Sequence, residues 1–153
     1  MEDRCIVIPD LSRHSTDPTM EPIAIMGVFD GHNGQACADY LKTSFHTELK
    51  TFESFLTHTD GWEAKYDQHA LMECLSLLDE TFLANAVAYN PPEFSGACVC
   101  VAIIRPGVVS MAWLGDCRAI LCQADFTAKQ LTLDHRPTRD DERARIEATG
   151  EWG

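Results

Sequence analysis

Phe29-Asp30-Gly31-His32-Asn33-Gly34 sets a carboxylate, a glycine and an imidazole between a short apolar run, residues 23–29, and a segment with helical spacing, residues 35–49. An apolar run broken by a glycine turn and followed by a periodic segment reads as a strand leading into a helix. Asp30 and His32 are therefore predicted to stand on a strand-to-helix corner. Upstream, a second apolar segment, residues 5–8, is joined to the first by a polar stretch with Pro9, Asp10, Ser12, Asp17 and Pro18, which predicts a strand pair with a long connection. Downstream, Cys37, Leu41, Phe45 and Leu49 recur every four residues, and Leu71, Leu75, Leu78 and Phe82 make a similar stripe. These are the apolar faces of two helices lying on a sheet, the second stopped by Asn90-Pro91-Pro92.

Beyond residue 96 the pattern changes to strands. Residues 97–104 and 108–114 flank Arg105-Pro106-Gly107, a hairpin signal, and a second turn falls at Gly115-Asp116. Residues 118–122 and 130–133 read as further strands, and residues 140–149 as a charged helix closed by Gly150. Strands so uniformly apolar predict cover on both faces, which an antiparallel sandwich flanked by helices provides. No internal repeat or linker interrupts the chain.

The 153 residues suffice for one domain, or for part of a larger one. With 45% hydrophobic and 24% charged residues the composition argues against disorder. A net charge of −12 would repel a phosphate backbone, which argues against nucleic-acid binding, and would attract divalent cations. No apolar run approaches the roughly 18 residues of a spanning helix, so no membrane segment is expected. The opening Met-Glu-Asp-Arg does not look like a signal peptide. Seven cysteines without a CxxC pair predict free buried thiols in a reducing compartment, cytoplasmic or nuclear and not secreted.

Carboxylates recur where strands begin, end or turn: Glu2 and Asp3, Asp30, and Asp116. Singly, each reads as a turn or surface residue. Converging, they would repel one another unless hard cations such as Mg²⁺ or Mn²⁺ neutralised them. Gly31 permits close backbone approach, so that its carbonyl can meet an ion while Asp30 bridges two. His32 would then serve as a general acid toward a phosphate-ester leaving group. His14, His46, His58, His69 and His135 lack comparable context. There is no GxSxG, GxxxxGK or HExxH, which favours a water nucleophile over a side chain.

In order along the chain, five segments resemble motifs of the metal-dependent serine/threonine protein phosphatases of the 2C family. They are Met1-Glu2-Asp3; residues 28–34; Ser95-Gly96-Ala97; Leu114-Gly115-Asp116-Cys117-Arg118; and Leu131-Thr132-Leu133-Asp134-His135-Arg136-Pro137 with Glu142, Arg145 and Ile146. The resemblance implies a four-layer αββα sandwich of α+β class, of which residues 1–153 would be the N-terminal part of one catalytic domain. It implies a binuclear Mn²⁺ or Mg²⁺ centre bridged by Asp30, with the Gly31 carbonyl on one ion and Glu2 holding a water. Asp116 would contribute to a third, weaker metal position, and His32 would protonate the serine or threonine of a phosphoprotein substrate.

The same resemblance names what is absent. The family's phosphate-binding arginine lies just before the Met-Glu-Asp motif, and Arg4 is not its substitute by motif. Its remaining two aspartate ligands lie in an Asp-Gly-x-Trp-Asp segment and a later Asp-Asn pair, neither found here. Residues 1–153 alone are therefore expected to show weak or no activity and to self-associate through uncovered sheet surface. The competing expectation is a catalytically inactive pseudophosphatase, a binding or regulatory module on the same scaffold.

Overall fold

Alternating burial along one strand organises the fold. In β2 (Ala24–His32), Ile25, Gly27 and Phe29 are buried while Met26, Val28 and Asp30 are exposed, the period of two that a half-covered sheet imposes. The computed structural model describes residues 1–12, 21–52, 63–88 and 91–150; Asp17, Pro18 and Asn90 of the expected connections lie outside them. β1 (Arg4–Ile8) pairs antiparallel with β2, Arg4 opposite Phe29 and Ile8 opposite Ile25. β3 (Gly96–Arg105) flanks β2 on its other side, and β4 (Val108–Leu114) follows through the hairpin, with Gly107 at φ 78°. The sheet order is β1-β2-β3-β4.

Two helices, α1 (Ala36–Leu49) and α2 (Ala64–Ala86), cover one face. Leu41, Phe45 and Leu49 of α1 and Leu71 and Leu78 of α2 meet Ile25, Phe29, Val99, Val101 and Ile103 of the sheet. Phe29 and Phe45 pack edge to face at 6.1 Å. Each fully buried large side chain contributes about 1.5–3 kcal/mol relative to exposure, so this layer is the main source of stability. At its margin Asp67 of α2 is fully buried, and Arg105 grips it through Nε and Nη2 at 2.9–3.1 Å, tying α2 to the β3–β4 hairpin.

The molecule is thus of α+β class, antiparallel sheets with helices, and its first helical layer and first sheet are those of the expected sandwich. The second face is uncovered, as the reading of the chain as part of a sandwich expected and unlike the cover that the apolar strands alone predicted: Val7 is 62% exposed and Met26 and Val28 each 46%. No described element packs over them. A separate two-stranded sheet pairs β5 (Ile120–Cys122) with β6 (Ala128–Gln130), the first shorter than the expected 118–122 and the second displaced from the expected 130–133. Side chains replace the ladder there: Thr132 Oγ1 accepts from the Ala119 amide at 3.0 Å, and Arg118 turns to Asp134. α3 (Asp140–Thr149) ends as predicted at left-handed Gly150, φ 74°.

All seven cysteines are free, as expected, yet only Cys74 and Cys100 are buried; Cys5 and Cys122 are exposed. Apolar neighbours in sequence did not ensure burial, because Cys5 lies on the uncovered sheet face opposite Val28. Among the described residues no helix is long and apolar enough to cross a membrane.

Candidate metal centre

Asp30, Gly31 and His32 are not on a corner. They are the last paired residues of β2, opposite Cys98, Ala97 and Gly96. β3 is long enough to carry pairing through the motif, and the corner falls one step later, where Asn33 and Gly34 take φ 57° and 123°. Asp30 consequently lies with Met26 and Val28 on the face that the helices do not cover, while His32, at the strand end, borders a groove against α1 and α2. The corner is fastened from a distance: Ser95 Oγ accepts from the Cys37 amide in the first turn of α1 at 2.9 Å. Ser95 is itself fixed by Glu93, whose Oε1 accepts from the Ser95 and Phe94 amides at 2.8 and 3.0 Å, which holds that carboxyl below its usual pKa.

The Glu2 backbone passes close to β2, on the side of Gly31 that faces Ala38 of α1, because position 31 has no side chain. A Cβ at Gly31 would stand 2.7 Å from the Glu2 carbonyl oxygen and 3.1 Å from its Cβ. Arg4 anchors this first strand by bonding Asp39 and Gln35 at the start of α1. The guanidinium is thereby engaged with α1, and it lowers the pKa of Asp39.

Asp116 arrives from the turn after β4. Its Oδ1 accepts from the Cys98 thiol at 3.8 Å, and Cys98 is the strand partner of Asp30. Asp30 and Asp116 therefore lie at one end of the uncovered face, on either side of Cys98. The adjoining Cys117 thiol is pushed up to about 11, first by burial and then by the neighbouring Cys98, Asp30 and Cys100. Arg136 Nη2 stands 3.4 Å from Asp116 Oδ2 and 3.3 Å from Asp134 Oδ2. His32 lies with its ring over Gly96, where a Cβ would meet Nε2 at 2.5 Å. His32 and His135 both line a groove of about 860 Å³ together with Cys37, Ser95 and Trp113.

The donor types are those a hard cation takes, carboxylates from Glu2, Asp30 and Asp116 and a backbone carbonyl from Gly31. Among the described residues, no three His, Cys, Asp or Glu side chains converge on one point as a complete metal cage. The residues fit as part of such a centre. Sequence reasoning missed Ser95 as a cap and His135 as a partner of Gly115, because both act across many residues of chain; only the Ser95-Gly96 and Asp134-His135 motifs signalled them.

Residues 1–152 match the family model described as Protein phosphatase 2C, and the chain belongs to that family. The probable protein phosphatase 2C 14 of Arabidopsis thaliana is 35% identical over 150 residues, covering 98% of this chain and 30% of that protein. Protein phosphatase 1F of Homo sapiens is 35% identical over 152 residues, 98% of this chain and 31% of that protein. Among solved structures, a C. elegans sex determining protein superposes with TM-score 0.77 at 26% identity, over 97% of this chain and 35% of its own. The serine-threonine phosphatase 2C from Toxoplasma gondii shares the fold, with TM-score 0.71 at 19% identity over 97% of this chain and 54% of its own. The chain spans about a third of the length of the curated relatives it matches.

Proposed function

We propose that residues 1–153 form the N-terminal part of a single catalytic domain that hydrolyses phosphoserine and phosphothreonine in proteins, using a binuclear Mn²⁺ or Mg²⁺ centre. The observation that supports this best is the close approach of the Glu2 backbone to Gly31, the residue after Asp30, in a chain of this family. Asp30 would bridge the two cation positions, the Gly31 carbonyl would hold one, Glu2 would orient water, and Asp116 would serve a third. Cations bound there would neutralise the phosphate oxygens and lower the pKa of the attacking water. His32 would donate its proton to the departing serine or threonine oxygen from the exposed end of the same strand. The free thiols accord with a reducing, intracellular compartment.

The test is phosphate release from a phosphoserine peptide with Mn²⁺. Residues 1–153 are expected to give weak turnover at most, and whatever turnover there is should disappear with chelator and fall about a hundredfold in His32→Ala, a typical loss for a general acid. Robust turnover insensitive to chelator, His32→Ala and Asp30→Asn would overturn these roles.

The lack of a three-donor cage among the described residues favours a second reading, a pseudophosphatase that binds partners without catalysis. Tight partner binding in calorimetry, with no Mn²⁺ uptake, would select it. In either case the uncovered face with Val7, Met26 and Val28 supports self-association. Sedimentation is expected to show a concentration-dependent dimer, and Val28→Lys should return it to monomer; a wild-type monomer at all concentrations would contradict this.

A further inference from the structure

We infer that His135 is a positioning residue, whose imidazole holds the Gly115-Asp116 turn and so sets where the Asp116 carboxylate stands. The inference rests on the reading of Asp116 as a cation ligand. His135 and Gly115 bond in both directions: the His135 amide donates to the Gly115 carbonyl at 2.9 Å, and the Gly115 amide donates to His135 Nδ1 at 3.3 Å. Accepting at Nδ1 requires a lone pair there, so this bond calls for the tautomer that carries its proton on Nε2. No other ring nitrogen among the described residues is bonded to the turn that carries Asp116.

The ring is itself held. It stacks on Trp113, with centroids 6.3 Å apart and planes at 28°. The Trp113 indole N–H donates to the Leu133 carbonyl at 2.9 Å, and Arg139 Nη1 donates to the carbonyls of Leu133 and Asp134 at 3.1 and 2.7 Å. From the opposite side, Gly115 lies against Cys98, where a Cβ would fall 2.3 Å from Sγ. The turn is thus in contact with both Cys98 and His135, and the residue after His135, Arg136, reaches Asp116 directly. A histidine that only filled space would need neither a particular tautomer nor an acceptor at Nδ1. That difference makes the role testable.

The first measurement uses the unaltered chain: long-range ¹H–¹⁵N correlation is expected to show His135 Nδ1 without a proton and Nε2 with one. A proton on Nδ1 overturns the inference. The second compares His135→Leu, which has no acceptor, with His135→Asn, whose Oδ1 stands where Nδ1 was. Amide exchange at Gly115 is expected to speed up about tenfold in His135→Leu, as for loss of one hydrogen bond, and to return toward wild type in His135→Asn, with Val101 and Ile103 unchanged in both. Equal protection of Gly115 in all three chains overturns it. The third adds Mn²⁺ and follows paramagnetic broadening at Asp116, expected to need about tenfold more Mn²⁺ in His135→Leu than in wild type or His135→Asn, the same single bond being lost. Unchanged Mn²⁺ demand in His135→Leu overturns the positioning role. Failure of Mn²⁺ to broaden Asp116 even in wild type overturns the ligand reading instead, and the tautomer and exchange results still decide the clamp.

Discussion

Arg105→Ala is expected to lower the stability of the fold by about 3 kcal/mol or more, seen as a lower midpoint in urea unfolding. Asp67 is fully buried in α2, and the Arg105 side chain, 10% exposed, supplies its counter-charge through Nε and Nη2. Ser110 Oγ also donates to Asp67, at 3.3 Å, but a hydroxyl cannot replace a guanidinium against a carboxylate that stays buried. The pair also ties α2 to both strands of the β3–β4 hairpin, so its loss loosens the helical layer where it meets the sheet margin. The double change Asp67→Leu with Arg105→Met should recover most of the loss, since buried ion pairs are often replaceable by apolar groups of similar size. A loss below about 1 kcal/mol in Arg105→Ala would show that the pair is effectively solvated.

Gly115→Ala should cost about 3 kcal/mol and displace Asp116, as overpacking and left-handed strain add. Its φ of 84° already disfavours a side chain, and the new Cβ would meet Cys98 Sγ at 2.3 Å and Cys98 Cβ at 2.8 Å. The second of these atoms is close to backbone and has little room to move. Adding Cys98→Gly should remove the Sγ and Cβ contacts and recover part of the loss, leaving about 1–2 kcal/mol of dihedral strain together with the cost of a glycine inside β3. Thermal melts of the single and double variants check this; a single variant as stable as wild type would mean that the turn is not seated on β3 as described.

Local chemistry was the most legible part of the sequence. Asp30, Gly31 and His32 were identifiable because their order along six residues carries the meaning, and the stripes of α1 and α2 because a helix repeats within a few residues. Their exact setting was not: whether Asp30 lies on a strand or a corner depends on the length of β3, nearly seventy residues away in the chain. The meeting of Glu2 with Gly31 was inferable only through the ordered set of motifs. Ser95 capping α1 and His135 clamping Gly115 depend on partners 58 and 20 residues distant, which no periodicity records. The uncovered sheet face was legible only through the motifs, which implied missing cover, whereas the apolar pattern alone predicted cover on both faces. An apolar strand shows that a face asks for cover, without saying which residues provide it.

Calorimetric titration of Mn²⁺ into wild type and Asp30→Asn, with circular dichroism confirming that both are folded, bears most directly on the proposed centre. Wild type is expected to bind Mn²⁺ through Asp30, and Asp30→Asn to lose at least about tenfold in affinity, since a bridging carboxylate contributes both charge and a second oxygen donor. Equal Mn²⁺ binding by the two folded chains, or none by wild type, would contradict a cation centre built on Asp30.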